Sequence, residues 1–247
     1  RAEGKRKILT FGGAYSNHIA ASGAIAAHSD LEIHAMIRGE ELNPDSNYCL
    51  QKAHRSGLKL HFIPRAKYKA FKAAKQGSEI SSEWKEAFII PEGGANAHGV
   101  KGCEAILDEI ELPFDHIFCA AGTGTTAAGL MRSLNNETLH VIPALKGAAF
   151  LEKEILKWQN DRQKADQLIL LDDYHFGGYA KVDEELFQFQ AMIKDECGVQ
   201  LDYIYTAKAF FALIDLIKKD HFPLGSRIIF YHSGGLQANK GIESRKS

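Results

Sequence analysis

Short apolar runs recur along the chain, the first seven at intervals of about 20 to 30 residues and the eighth after a longer interval. Eight of these runs are rich in β-branched residues and predict strands: KILTF, LEIHAMI, LKLHFIP, AFIIPEG, HIFCAAG, LHVIPAL, QLILLDD and RIIFYHS. Their apolar positions are continuous rather than alternating, which is typical of parallel strands that are covered on both faces.

Longer segments with helical periodicity lie between the apolar runs. The clearest are NAHGVKGCEAILDEIE, TTAAGLMRSL, AAFLEKEILKWQND, DEELFQFQAMIKDECG and TAKAFFALIDLIKKD. Strands and helices in steady alternation favour open, doubly wound α/β sheets. The sequence therefore predicts an α/β fold.

A polar stretch divides the chain. Residues 65–85 are rich in lysine and serine and only weakly periodic, so they predict a surface helix followed by a loop. Because this stretch separates three early strands from the later ones, we expect two α/β domains, a smaller one over 1–90 and a larger one over 91–247. The chain opens on RAEGKRKILTF without a methionine, and we expect a further N-terminal segment to precede it.

Composition and charge exclude several classes of partner. The net charge of -1 over 247 residues gives no electrostatic reason to expect nucleic acid or a membrane surface. No apolar run approaches the length of a bilayer span. The four cysteines show no CxxC spacing, and we expect buried, reduced thiols in a cytosolic protein at Cys49, Cys103, Cys119 and Cys197.

Two common signatures, the HExxH metal-binding motif and the GxSxG nucleophile elbow, do not occur in the sequence. The eleven histidines are dispersed without HExxH spacing, so no metal site is predicted. A GxSxG nucleophile elbow does not occur either, which disfavours a hydrolase of that fold. Ligands of open α/β sheets bind beyond the carboxyl ends of the strands, so the residues that follow each strand are the candidates.

The strongest candidate is CAAGTGTTAAGL, residues 119–130. Gly122 and Gly124 allow a tight turn, and hydroxyl donors follow at Thr123, Thr125 and Thr126 before a helix of small residues. A helix N-terminus presents unpaired N–H groups and favours an anion, so this loop suits a phosphate. An ordinary turn with a threonine N-cap is the alternative.

Four other strand ends or turns carry polar side chains. In PEGGANAHGVKG, Asn96 suits a helix N-cap; in YHSGG, Ser233 ends the last strand and is either a ligand contact or a helix cap. In LDYIYTAKA, Thr206 suits an N-cap, whereas Tyr205 has no such simple explanation. The first turn, GAYSNH, places Ser16 and its polar neighbours between a strand and a helix.

These motifs together resemble the fold-type II pyridoxal-phosphate enzymes, the tryptophan-synthase-β-like group. The similarity is greatest to the D-cysteine desulfhydrase and 1-aminocyclopropane-1-carboxylate deaminase family, and it covers nearly the whole chain in consistent order. It implies pyridoxal 5′-phosphate as cofactor, a small amino acid as substrate, and a deaminating lyase or hydrolase as activity. A cytoplasmic homodimer is the family expectation.

The resemblance also implies roles for individual residues. The phosphate would be bound by Gly122, Thr123, Gly124, Thr125 and Thr126. Asn17 would bind the 3′ oxygen of the ring and Ser233 would face its nitrogen. Ser16 would serve the substrate, while Tyr205 and Tyr179 would be the two active-site tyrosines.

Two departures from the family pattern limit the resemblance. The catalytic lysine of the family belongs to a Gly-Asn-Lys motif that would fall before residue 1, since Lys5 and Lys7 have the wrong context. Thr206 stands where the ring-opening deaminases have a glutamate, which favours the desulfhydrase branch; His18 points the same way. The alternatives are a non-catalytic protein that binds a phosphorylated ligand, and a serine or threonine dehydratase or a racemase on the same fold.

Overall fold

The structure is a computed structural model that describes residues 4–73, 82–159 and 162–243. The strands are β1 Lys7–Gly12, β2 Glu32–Arg38, β3 Lys59–Ile63, β4 Phe88–Ile90, β5 His116–Ala121, β6 Thr138–Pro143, β7 Leu168–Leu170 and β8 Ile228–Phe230. The α-helices are α1 Asn17–Ala27, α2 Tyr48–Arg55, α3 Arg65–Ala73, α4 Ala97–Glu104, α5 Thr125–Ser133, α6 Phe150–Leu156, α7 Glu184–Cys197, α8 Thr206–Lys218 and α9 Asn239–Glu243.

The chain divides into two compact units, and the first runs to Ala95. Its four-stranded sheet has the order β3-β2-β1-β4, and every pair is parallel. The central strand β1 buries Leu9, which is paired with His34 on one side and Ile89 on the other. Helices α1 and α2 pack on this sheet through a buried apolar cluster that includes Ile19 and Leu50.

The second unit comprises Asn96–Ile242, and its sheet has the order β7-β6-β5-β8 with every pair parallel. Strand β5 is central and fully buried at Ile117 and Phe118. Burying a side chain of this size contributes about 2 kcal/mol each, so the two faces of β5 anchor the unit. The predicted α/β class with two parallel sheets is confirmed, and the predicted boundary after residue 90 lies close to the division between units.

All eight predicted strands are present, with the observed ends shifted by a few residues. The helical segment predicted over residues 96–111 is shorter than expected, because α4 ends at Glu104 and a 3₁₀ turn, Leu107–Glu109, follows. The predicted surface helix is α3, and residues 74–81 of the predicted loop lie outside the described part of the chain.

A close helix crossing sets the position of α5. A Cβ added to Gly129 would lie 2.3 Å from the Cβ of Cys103 and 2.6 Å from the carbonyl oxygen of Val100, both on α4. Real side chains never approach so closely, so α5 can take this place only with glycine at 129. The start of α5, which carries the predicted phosphate loop, is thereby held against α4.

The four cysteines are reduced thiols, but not all of them are buried. Cys49 and Cys119 are buried and Cys103 is half-buried, whereas Cys197 at the end of α7 is exposed. The prediction of a buried thiol is therefore wrong for Cys197, which is the last residue of its helix. Among the described residues no helix is long and apolar enough to cross a membrane, and no cluster of side chains suits a metal ion.

Candidate functional site

The loop between β5 and α5 requires glycine at its last position. Gly124 has a φ of 80°, in the left-handed region that side chains disfavour. A Cβ there would also lie 3.0 Å from Cγ1 of Ile155. The loop therefore makes its tight turn through backbone alone and leads directly into α5.

The N-terminus of α5 has no side-chain cap. Gly124 holds the N-cap position and makes no side-chain cap, so the alternative of an ordinary threonine N-cap is wrong. The hydroxyls of Thr123 and Thr125 are hydrogen-bonded to each other at 2.9 Å. The hydroxyl of Thr126 is hydrogen-bonded to the thiol of Cys103 on α4.

Tyr205 lies directly over this loop. A Cβ added to Gly122 would be 3.2 Å from both Cε1 and the phenol oxygen of Tyr205. The rings of Tyr205 and Tyr179 have centroids 6.1 Å apart and are inclined at 70°, an edge-to-face contact. The second unit thus brings together the predicted phosphate loop and the two predicted active-site tyrosines.

Asp202 holds the start of α8, and the sequence analysis missed it. Its carboxylate accepts hydrogen bonds from the backbone N–H groups of Ile204, Tyr205 and Thr206 at 2.9–3.0 Å. It also accepts from the Thr206 hydroxyl at 2.8 Å. Burial raises the pKa of Asp202, while these hydrogen bonds act in the opposite direction.

The N-cap prediction for Thr206 is wrong, because Tyr205 holds that position and Thr206 is the first helical residue. The hydroxyl of Thr206 is used inside the turn, where it donates to Asp202 and also accepts from the Asp202 backbone N–H at 2.8 Å. An Asp followed four residues later by a Thr before a helical run was the available signal for this cap.

Ser233 is exposed in the loop that follows β8. The helix-cap alternative for Ser233 is wrong, since the next turn, Leu236–Ala238, has Gly235 at its N-cap position. His232 holds the loop: its Nδ1 accepts from the backbone N–H of Gly234 at 3.0 Å, and its Nε2 donates to the carbonyl of Gln200 at 2.9 Å.

Ser16 and Asn17 belong to the first unit, at the start of α1. Ser16 is the N-cap residue, and its Oγ accepts from the backbone N–H of Ile19 at 3.4 Å. Asn17 is the first helical residue and is half-buried. A Cβ added to Gly12 would lie 2.4 Å from Cγ1 of Ile19, so the end of β1 and the start of α1 pack with no space between them.

His18 connects α1 to the sheet. Its Nε2 is 2.6 Å from Oγ1 of Thr10, which itself donates to the carbonyl of Ile90 at 3.0 Å, so His18 is the donor to Thr10. Burial lowers the pKa of His18, and the nearby carboxylate of Glu92 opposes that shift. The hydrogen bonds of Thr10 therefore place a proton of His18 on Nε2. The predicted cap at Asn96 is confirmed, with Oδ1 accepting from the Gly99 N–H at 2.8 Å.

The residues of the loop from Gly122 to Thr126 fit a phosphate. The start of α5 offers backbone N–H groups without a side-chain cap, a helix dipole that favours an anion, and the adjacent hydroxyls of Thr123 and Thr125. The glycine at 122 lets the backbone pass close under Tyr205. The backbone N–H groups and one hydroxyl of the threonine pair can donate hydrogen bonds to an anionic group, since the other hydroxyl donates within the pair.

Two curated relatives match almost the whole chain. A 1-aminocyclopropane-1-carboxylate deaminase of Pyrococcus horikoshii, a name given provisionally, is 32% identical over 95% of this chain and 75% of its own length. D-cysteine desulfhydrase of Klebsiella pneumoniae is 28% identical over 96% of this chain and 78% of its own length.

A solved structure described as an ACC deaminase homologue shares the fold. It superposes with a TM-score of 0.78 at 24% identity, over 98% of this chain and 79% of that one. The family described as pyridoxal-phosphate dependent enzymes matches residues 1–234. A match over that length shows that this chain belongs to the pyridoxal-phosphate dependent enzymes.

Proposed function

We propose that this protein deaminates a small amino acid with pyridoxal phosphate as cofactor, and that D-cysteine is its substrate. D-cysteine and water would give pyruvate, hydrogen sulfide and ammonia. The observation that carries the proposal is the contact of Tyr205 with Gly122, since it sets a proton-carrying phenol against a loop that suits the cofactor phosphate. The relatives named D-cysteine desulfhydrase and 1-aminocyclopropane-1-carboxylate deaminase support it.

Thr206 supports D-cysteine over the cyclopropane acid. In the family that this chain resembles, the ring-opening deaminases have a glutamate after the active-site tyrosine. Thr206 is fully buried and bonded to Asp202. A glutamate in the same place would set a second carboxylate against that of Asp202 in a buried environment, which is costly. The local structure therefore suits a short neutral residue at 206.

The cofactor would be held by residues of three motifs that carry the resemblance. The backbone of Gly122 and Gly124, with Thr123, Thr125 and Thr126, would bind the phosphate; Asn17 would bind the ring oxygen and Ser233 would face the ring nitrogen. Pyridoxal phosphate, when bound, supplies an electron sink that stabilises negative charge at the substrate α-carbon. The hydroxyl of Ser233 is neutral, so it does not force a proton onto the ring nitrogen.

Three hydroxyl groups would handle the substrate. The rings of Tyr205 and Tyr179 are in edge-to-face contact, which fixes one phenol against the other. A phenol at hydrogen-bond distance from a reacting group acts as a general acid or base. Ser16 accepts from a backbone N–H through its oxygen and still has its own proton to donate to a substrate carboxylate.

A panel of amino acids tests the substrate. The intact protein is supplied with pyridoxal phosphate and assayed with both enantiomers of cysteine and serine, with L-threonine and with 1-aminocyclopropane-1-carboxylate. We expect pyruvate and sulfide from D-cysteine and much less product from the others. Racemisation of serine, or dehydration of L-serine or L-threonine, would replace this proposal with the corresponding activity. The absence of product from every amino acid of the panel would contradict deamination.

Assembly and location belong to the same proposal. We expect a homodimer in the cytoplasm, as the resemblance to this family implies. Light scattering on the purified protein measures its mass directly, and a monomeric mass would contradict the first expectation. Fractionation of the source cells tests the second.

A further inference from the structure

Lys208 is a buried lysine that the proposed function does not use. It lies on α8, three residues after Tyr205, and its side chain is 0% exposed. Lysine is almost never fully buried, because an ammonium group out of water is costly unless hydrogen-bond acceptors replace the water. The groups that accept hydrogen bonds from its Nζ therefore show which part of the chain Lys208 holds in place.

Both acceptors of Lys208 belong to one turn. Its Nζ donates to the carbonyl oxygens of His175 and Gly178, each at 2.8 Å. Gly178 is the residue immediately before Tyr179. Lys208 thus connects α8, whose N-cap residue is Tyr205, to the turn that carries Tyr179.

The backbone of that turn is strained. Four residues around Tyr179 have positive φ: Phe176 at 51°, Gly177 at 83°, Gly178 at 113° and Ala180 at 54°. A residue with a Cβ is disfavoured in the left-handed region, so the conformations of Phe176 and Ala180 persist only where the surroundings hold them. The ammonium of Lys208 holds this turn from α8, where the ring of Phe176 also packs edge-to-face on Phe211 with centroids 5.0 Å apart.

Two carboxylates balance the buried charge. Asp202, at the start of α8, and Asp183, the N-cap of α7, both favour the charged form of Lys208, while burial lowers its pKa to about 8. Asp202 also binds the backbone of Tyr205. The lysine, the aspartate and both tyrosines therefore form one connected set within the second unit.

We propose that Lys208 is a positioning residue that sets the phenol of Tyr179 against that of Tyr205 through the turn His175–Gly178. Its effect on the reaction rests on the proposed function, because the tyrosines act there as proton carriers. Its effect on the geometry of Tyr179 does not depend on that function. The two effects can be measured separately.

Lys208→Met tests the proposal, since methionine is comparable in length and has no charge or donor. The turn keeps its own hydrogen bonds in this variant: the His175 carbonyl also accepts from the Gly178 N–H at 3.0 Å, and the Gly178 carbonyl from the Lys181 N–H at 3.1 Å. Each carbonyl retains a partner, so we expect a folded protein.

Lys164→Met is the matched control. Lys164 also uses its Nζ to bind backbone carbonyls, those of Met131, Arg132 and Leu134 around the end of α5. The same chemical group is lost in both variants. Of these two lysines, Lys208 is bonded to the turn His175–Gly178 and Lys164 is not.

The first measurement is NMR of protein labelled with ¹³C at the tyrosine Cζ, recorded without cofactor. Tyr179→Phe and Tyr205→Phe assign the two signals among the eight tyrosines. We expect Lys208→Met to shift or broaden the Tyr179 signal and Lys164→Met to leave it unchanged. The second measurement is turnover of D-cysteine with cofactor, where a displacement near 1 Å lowers kcat about 100-fold with KM within twofold.

Three results would overturn the proposal: an unchanged Tyr179 signal in Lys208→Met, equal effects of Lys208→Met and Lys164→Met, or a normal kcat despite a shifted signal. If Lys208→Met does not fold, Lys208→Gln retains a shorter donor, and failure of both to fold would make Lys208 a stability residue only. A wild-type protein without deaminase activity would contradict the proposed function, while the NMR result would still decide the positioning role.

Discussion

The phenol oxygen of Tyr205 lies 3.2 Å from the place that a Cβ on Gly122 would occupy. Gly122 does not have a positive φ, so alanine can adopt its backbone conformation without strain. A side chain at 122 would instead press on the tyrosine ring. A substitution at this position therefore tests the contact between phenol and loop with little other change.

Gly122→Ala is expected to lower kcat for D-cysteine about tenfold. The added methyl group forces the ring of Tyr205 to move by a few tenths of an ångström, and proton transfer is sensitive to such displacement. Steady-state kinetics at saturating cofactor measure it. Gly102→Ala is the control, since a Cβ there meets nothing within 4 Å. A wild-type kcat in Gly122→Ala would show that Tyr205 does not act from this position.

Ser16→Ala separates capping from catalysis. Loss of the cap on α1 is expected to lower the free energy of unfolding by about 1 kcal/mol. Asn47→Ala removes the comparable cap of α2, where Oδ1 accepts from the Leu50 N–H at 3.0 Å. We expect both variants to lose stability and only Ser16→Ala to lose turnover. Denaturation measures the stability, and steady-state assays measure the turnover. Equal turnover in the two variants would reduce Ser16 to a turn residue.

Thr123→Ala is expected to weaken cofactor binding before it changes turnover. One lost hydrogen bond of about 1 kcal/mol raises the Kd for pyridoxal phosphate about fivefold. Titration of the apoprotein with cofactor measures the Kd, and Thr138→Ala at the start of β6 is the control. An unchanged Kd would show that the Thr123 hydroxyl does not bind the phosphate.

His140 makes the second unit sensitive to acid. Burial lowers its pKa to about 3, and the neighbouring imidazoles of His116 and His221 act in the same direction. Above the unfolded pKa near 6.5 both states are neutral. As the pH falls below 6.5, only the unfolded chain takes up the proton, so stability is lost.

His140→Phe should remove that contribution, about 2–3 kcal/mol between pH 7 and pH 4.5. Phenylalanine suits the site, since His140 already stacks on Phe118 with centroids 4.3 Å apart. Urea denaturation at the two pH values measures the difference. His54→Phe on the exposed part of α2 serves as control, and an equal acid sensitivity of wild type and His140→Phe would contradict the assignment.

The strands and the glycine-rich turn before α5 were predictable because their signals are local. Apolar runs identify β1 to β8, and glycines followed by threonines identify the loop before α5. The cap by Asp202 is equally local and could have been found from its spacing to Thr206. Cys197 was mispredicted because residue type alone does not show which side of a helix end faces water.

Lys208 could not have been found in the same way. Its sequence context reads as a lysine on an ordinary helix, and its partners are backbone carbonyls 33 and 30 residues away. Backbone carbonyls are common to every residue, so no side-chain pattern marks His175 and Gly178 as its acceptors. The link between His18 and Thr10 is similar, since it depends on how α1 lies against β1.

The thiols of this protein differ in a way that makes selective chemical labelling practical. Burial raises the pKa of Cys49 to about 11 and that of Cys119 to about 12, and it also raises the pKa of Cys103. Alkylating reagents attack the thiolate, so these three cysteines react slowly near neutral pH. Cys197 is exposed at the end of α7, and a maleimide dye would attach there, giving a fluorescent reporter without any engineered cysteine.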